Sequence, residues 1–195
     1  VGAEANGWRA EYSGMKVKDE ALRPYRANVG GVVGGAPVPA LRMYGVEQTT
    51  QSLTFSRVDG EGMIDPELQV AHYGTKLNLP VPYGSDGEAD TLSVTAKNTC
   101  HVDNGLNLTA GLDYQDREGS YAEPGYFVSE AVKNTGLFAQ GRGTAGQDDY
   151  SAGLRSDWNR FDGVDGQEIH SKAASANASA NWPATEALSF NRLFY

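Results

Sequence analysis

A single cysteine, Cys100, stands in 195 residues, so the chain can build neither an internal disulfide nor a zinc site on four cysteines. No run approaches the about 18 consecutive apolar residues that a membrane-crossing helix requires. Basic side chains are in short supply: 16 Lys and Arg face 25 Asp and Glu, for a net charge of -9. The cationic footprint that nucleic acid demands is therefore missing, and nucleic acid is not an expected partner. Hydrophobic residues reach only 39%, with a mean hydropathy of -0.48, against the ~45–50% usual for globular domains. A helical stripe with caps never persists. The one helix candidate, 18–22, is short and runs into Pro24. No secretory leader and no initiator Met precede Val1, so the chain reads as processed or truncated. None of these absences excludes a membrane crossed by strands, because alternation keeps the mean hydropathy of such strands unremarkable.

What the chain has is glycine, 24 residues of it, and a period of two. Leu106, Leu108, Ala110, Leu112 and Tyr114 alternate with Asn107, Thr109, Gly111 and Asp113. Tyr150, Ala152, Leu154 and Trp158 alternate with Ser151, Gly153, Arg155 and Asp157. Ala174, Ala176, Ala178, Ala180 and Trp182 alternate with Ser175, Asn177, Ser179 and Asn181, and a shorter version spans 92–97. Weaker alternation covers 8–17, 41–58, 67–79, 136–143 and 187–195. Turn signals fall at 103–105, 146–148, 162–163 and 183–185. The pattern predicts an all-β, antiparallel up-and-down meander of roughly nine or ten strands. Long loops are expected at 18–40, 59–66, 80–90, 117–134 and 162–171.

Two packings satisfy such strands. In a soluble, secreted β-sandwich the apolar face meets a second sheet. In a transmembrane β-barrel it meets lipid, and the polar face lines the interior. Three features favour the barrel. Many apolar positions are Ala or Gly, too small to fill the ~10 Å between packed sheets. Aromatics (Tyr114, Trp158, Phe161, Trp182) sit near the ends of the runs, as an interfacial girdle does. Tight turns alternate with long polar connections, the asymmetry of short periplasmic and long extracellular links. A small self-contained barrel, a structural protein or pore, would pair 8–17 with 187–195.

The order of the segments resembles the mid-barrel of TonB-dependent outer-membrane receptors of the siderophore or haem type. The segments are Thr91-Leu-Ser-Val-Thr-Ala-Lys-Asn-Thr, Leu108-Thr-Ala-Gly-Leu-Asp-Tyr-Gln-Asp-Arg and Gly136-Leu-Phe-Ala-Gln. They are followed by Tyr150-Ser-Ala-Gly-Leu-Arg-Ser-Asp-Trp-Asn-Arg-Phe-Asp-Gly, Ala176-Asn-Ala-Ser-Ala-Asn-Trp and Leu188-Ser-Phe. The likeness covers about half of the chain, with 41–79 fitting the preceding hairpin more loosely. It implies that residues 1–195 are one segment of a larger barrel, of ~22 strands in that family, with no plug domain in this stretch. Arg155-Ser156-Asp157 departs from the commoner Arg-Tyr-Asp, and neither the FRAP nor the NPNL box of haem-type receptors appears before Tyr195. The resemblance further implies a bacterial outer-membrane location and contact with outer-membrane lipid. It implies coupling to the TonB system through a plug, and a scarce small-molecule nutrient, such as a siderophore-bound iron or haem, carried as cargo rather than held as a cofactor. On that reading Tyr121, Tyr126 and Phe127 offer stacking surfaces in the ligand-facing loops. Arg117 and Lys133 offer positive charge for an anionic chelate.

No catalytic constellation is visible, so the chain is not expected to be an enzyme. Of the three histidines, His170 lies in an expected loop and is the best haem-ligand candidate, His72 falls in an apolar register, and His101 abuts a turn. Adjacent strand positions point to opposite faces, so His101 cannot activate Cys100. The acidic stretch Asp162–Glu168 lacks the ligand spacing of a calcium loop, and no metal site is expected. The pairs Asp113/Asp116 and Asp148/Asp149 are carboxylates expected to face a polar interior or water. The glycine-rich run Gly30–Gly35 lacks the following Lys-Ser/Thr of a phosphate cradle and reads as a loop.

Overall fold

The computed structural model describes residues 1–24, 32–33, 36–37, 41–60, 62–80, 84–102, 105–185 and 188–194. Twelve strands follow one another: β1 (Gly2–Ala5), β2 (Trp8–Pro24), β3 (Val32–Val33), β4 (Ala36–Pro37), β5 (Leu41–Arg57), β6 (Asp65–Leu79), β7 (Ser85–Val102), β8 (Leu106–Glu123), β9 (Tyr126–Ala145), β10 (Asp148–Asp162), β11 (Glu168–Thr185) and β12 (Leu188–Phe194). Ten of them form one sheet in the order β1-β2-β5-β6-β7-β8-β9-β10-β11-β12, each antiparallel to its neighbours, while β3 and β4 pair only with each other. The meander inferred from alternation is thus present. Among the described residues β2 does not pair with β12, so the closure of a small self-contained barrel is not seen, and the sheet has two free edges.

The register explains the alternation. One cross-strand row reads Tyr12, Leu53, Val70, Val94, Tyr114, Thr135, Trp158, Lys172. Its side chains share a face with Leu68, Ala96, Leu108, Leu112, Leu137, Ala139, Leu154, Ala176 and Ala178, because residues two apart along a strand point the same way. This apolar face has no cover. Leu154 is 66% exposed, Leu137 49% and Leu112 43%, and no large side chain among the described residues is fully buried. Among the described residues no second sheet covers this face as a sandwich requires. Hydrogen bonding holds the layer together, not a core.

The opposite face carries polar side chains that bond across strands. Thr99 meets Thr109 at 3.0 Å, Ser151 meets Ser179 at 2.7 Å, and Gln115 donates to Ser93 at 3.3 Å. Its centre is Arg155. The guanidinium reaches over β9, donates to both oxygens of Asp113 at 2.7 and 2.9 Å, and also bonds Asp157. Gly136 lies beneath it, where a Cβ would sit 2.2 Å from Arg155 Nη2. Glycine at 136 is thus what lets the side chain cross.

The strands are longer than alternation alone suggested. The expected loop 117–134 is strand except for Pro124-Gly125, since Glu123 pairs with Tyr126 and Gly125 has a φ of 82°. Proline first and a positive-φ glycine second make a two-residue turn. Residues 18–22 are extended, not helical, because pairing with β5 holds β2 as far as Pro24. Residues 85–90 belong to β7. The last expected loop shrinks to 163–167, which leaves His170 within β11. Pro183 still pairs with Ser189, so the tight turn expected at 183–185 is strand with an irregular register. Asp103, Asn104 and most of the Gly30–Gly35 run lie outside the described residues, as do Tyr195 and the Trp182 side chain.

Candidate functional site

The apolar face changes character along each strand. On β8 the stretch Leu106–Tyr114 is apolar; the next same-face residues are Asp116 and Glu118. Directly across lie Lys133 and Arg160, and one step further Asp90 and Asp162. In the main sheet β2 and each strand from β5 to β11 cross this boundary at nearly the same row. Beyond it the face is laced with ion pairs: Lys16–Glu47 at 2.7 Å, Lys76–Glu88 at 2.7 Å, Lys133–Asp116 at 2.9 Å and Arg160–Glu168 at 3.1 Å. Lys16 holds the Glu47 carboxyl below the usual carboxylate range, and Glu88 raises the Lys76 ammonium.

Aromatic rings mark both edges of the apolar band. Tyr12, Tyr114 and Trp158 share the upper row. At the lower edge Trp8 stacks on Phe55, with centroids 4.8 Å apart and planes 8° from parallel, and Tyr150 lies on the same face. The two tyrosine hydroxyls aim in opposite directions. Tyr114 donates upward to Asp116 at 3.0 Å and Tyr150 donates downward to Asp148 at 3.1 Å. Each ring thus turns its polar tip away from the band, as a side chain does at an apolar–aqueous boundary. Phe161, expected in this girdle, instead falls on the polar face, three residues from Trp158, between Val132 and Ile169.

Above the upper row the strands continue as hairpins that carry polar or charged side chains on both faces. This overhang holds the six candidate ligand residues, but on different faces. Arg117, Tyr121 and Tyr126 share the polar face; Phe127, Lys133 and His170 share the other. Tyr121 donates to Glu123 at 3.2 Å, and Tyr126 is 53% exposed. Lys133 is tied to Asp116, and His170 to Glu168 at 2.5 Å, so neither presents a free group. Asp113/Asp116 and Asp148/Asp149 likewise split between faces and form no carboxylate pair. His72 bonds Asp90 at 3.1 Å, and His101 bonds Asp65 at 3.1 Å on the face opposite Cys100. Among the described residues no group of three or more acidic, His or Cys side chains could hold a metal.

A cluster that sequence reasoning missed lies on the polar face of the overhang, near the top of β2 and β5. Arg23 and Arg42 are directly paired, and their guanidiniums lie 5.0 and 5.4 Å from the centroid of the Tyr44 ring. Asp19 bonds Arg23. Alternation over 41–58 already put Arg42 and Tyr44 on one face, since i and i+2 share a face of a strand, but 18–24 did not read as strand, so the approach of Arg23 was hidden. Two guanidiniums flanking one ring make a surface suited to an anionic, planar or aromatic group.

Comparison with solved structures places this wall among known ones. It superposes on the FrpB iron transporter from Neisseria meningitidis, F3-3 variant, with a TM-score of 0.77 at 14% identity, over 95% of this chain and 33% of that one. The apoprotein form of the F5-1 variant gives 0.77 at 13%, over 97% and 33%. The translocator domain of the autotransporter NalP from the same organism gives 0.51 at 14%, over 94% and 65%. The chain therefore spans about a third of the FrpB length, and its fold is that of an outer-membrane β-barrel wall. No family model and no curated protein matches the sequence.

Proposed function

We propose that this chain is wall from an outer-membrane receptor that imports a ferric chelate, as siderophore or haem, or a similar scarce nutrient, under the drive of TonB. The apolar face meets the lipid of the bacterial outer membrane, the polar face lines the barrel, and the overhang stands outside the cell. The cargo binds to the inner side of the overhang and passes inward when TonB acts on a plug. No covalent chemistry is involved. The observation that carries this reading is the inner surface of the overhang, where Arg23 and Arg42 flank Tyr44 and where Arg117, Tyr121 and Tyr126 share the same face. The segment order that resembles TonB-dependent receptors supports it, as does the better superposition on the FrpB iron transporter than on the NalP translocator.

The test uses the intact membrane protein in a bacterium stripped of its own iron receptors. Uptake of radioactive iron is followed from a panel of ferric siderophores and haem. Uptake that needs the protein, TonB and the proton gradient is expected. A double Arg23→Glu, Arg42→Glu variant should bind the active chelate at least tenfold more weakly, about 1.4 kcal/mol or more. Uptake that survives loss of TonB, or passive leakage of unrelated small solutes, would overturn the reading in favour of a simple pore.

A further inference from the structure

Ahead of β6, residues 62–64 lie against the apolar face of β7. Asn98 stands on that face, in register with Ala110 and Pro66. An amide there would be stranded among apolar neighbours, but the turn satisfies it at both ends. Asn98 Nδ2 donates to the Met63 carbonyl at 3.1 Å, and Asn98 Oδ1 accepts from the Asp65 N–H at 3.0 Å. Cys100 Sγ donates to the same Met63 carbonyl at 3.2 Å, the His101 N–H donates to the Gly62 carbonyl at 2.6 Å, and Arg57 holds the Ile64 carbonyl at 3.0 Å. Just past β5 the Val58 N–H bonds the Gly7 carbonyl of the neighbouring turn at 2.9 Å. Left-handed backbone at Asp59 (φ 54°) and Gly62 (φ 78°) makes the reversal possible.

Residues 62–64, fixed by these bonds, would be expected to tuck their apolar side chains inward. They do the reverse: Met63 is 76% exposed and Ile64 63%. They are adjacent, they project from the lower rim of the apolar band, and the next hairpin along that rim carries the Trp8–Phe55 stack. Ordering two large apolar side chains in water has no return, whereas at the edge of a hydrocarbon layer their burial is favourable.

We propose that this turn is a membrane anchor that lays Met63 and Ile64 into the acyl-chain boundary of the leaflet at the tight-turn end of the barrel. The occupant of the patch is lipid. The Asn98 and Cys100 bonds set the angle of entry and keep the Asn98 amide out of hydrocarbon. The anchor rests on the membrane reading of the apolar face, and the test separates the two.

In the intact protein, reconstituted in lipid vesicles, a nitroxide is attached at Met63→Cys and, in a separate variant, at Ile64→Cys. Both carry Cys100→Ser, which retains a donor toward the Met63 carbonyl. Labels at Leu112→Cys in the band and at Val164→Cys on the far turns serve as references. Collision with oxygen reports hydrocarbon, and collision with a water-soluble nickel chelate reports water. The anchor predicts that labels 63 and 64 meet oxygen more than nickel, with nickel access several-fold below that of label 164. Adding Asn98→Ala should shift them toward nickel. If 63 and 64 behave like 164 while 112 behaves as lipid-facing, the anchor is wrong and the membrane reading stands. If 112 is also open to nickel, the membrane reading fails and takes the anchor with it. Shielding of 63 and 64 from both reagents would mean a protein covers the patch, which also overturns the proposal.

Discussion

The lower and upper halves of β8 are one continuous strand in two different environments. From Leu106 to Tyr114 one face is apolar and the other bears Asn107, Thr109 and Asp113. From Asp116 to Glu123 both faces carry charge or hydroxyl groups. Hydrogen bonding to β7 and β9 is unbroken across the change, so the backbone has no part in it. The difference lies in what each face touches. Nine residues at ~3.3 Å span roughly 26 Å along the strand, or about 20 Å of height at a ~40° inclination, which puts the band at the short end of the ~9–11 residues that a barrel strand uses to cross. Above it the exposed ion pairs contribute little stability, and cross-strand pairing keeps the hairpins extended.

The comparison breaks most readily if the two halves respond alike to a buried charge. Ala110→Arg places a cation in the middle of the band and is expected to cost about 2–4 kcal/mol of folding stability in lipid. Phe127→Arg, on the same face of the overhang, should stay within about 0.5 kcal/mol. Urea titrations of the intact protein in vesicles measure both. Equal costs would mean that the apolar face does not meet hydrocarbon.

A smaller contrast concerns the ion pairs of the two halves. Arg155→Ala leaves Asp113 and Asp157 facing each other over Gly136, and the expected loss is about 1–2 kcal/mol, discounted because the cluster is partly open to solvent. Gly136→Ala should destabilise in the same direction without removing any charge, since its Cβ would occupy the path of the guanidinium. Lys133→Ala in the overhang breaks one part-buried pair and leaves Asp116 the bond from Tyr114, for about 0.5–1 kcal/mol. A Gly136→Ala protein as stable as the parent, by the same titration, would show that Arg155 does not need to cross the sheet.

The order and faces of the strands could be read from the chain because side-chain period and burial coincide in the band. Leu106 to Tyr114, Tyr150 to Trp158 and Ala174 to Ala180 all lie where alternation put them. The overhang was not legible for the same reason: with polar side chains on both faces, Asp116 to Glu123 and Tyr126 to Lys133 have no apolar period and look like loop. Local chemistry was still available there. Pro124-Gly125 is a two-residue turn signal, as is Asn6-Gly7 at the opposite end of the sheet, which joins β1 to β2 with positive φ at both residues. Among the ligand candidates, composition picked residues that do lie in the overhang, but their faces depend on strand register. Arg23, Arg42 and Tyr44 escaped notice because the register brings together positions some twenty residues apart, and no local pattern encodes that.

The smallest effect tests whether the overhang is held by charge at all. Glu47 accepts from Lys16 and keeps its proton less tightly than an isolated glutamate. Its folded value lies below its unfolded one, so the pair's contribution is present above the ordinary glutamate range and fades as pH falls through the folded value. Acidification from pH 7 toward pH 3 should therefore lower the melting temperature of the intact protein slightly. Glu47→Gln should remove its share of that slope, and high salt should flatten what remains, because the pair is exposed and screened. Lys76 runs the other way. Its raised value keeps it charged well past neutrality, so the Lys76–Glu88 pair loses its lysine charge only in strong base. An acid profile unchanged by both Glu47→Gln and salt would assign the rigidity of the overhang wholly to its backbone ladder. The charge belt would then serve only to keep that face in water.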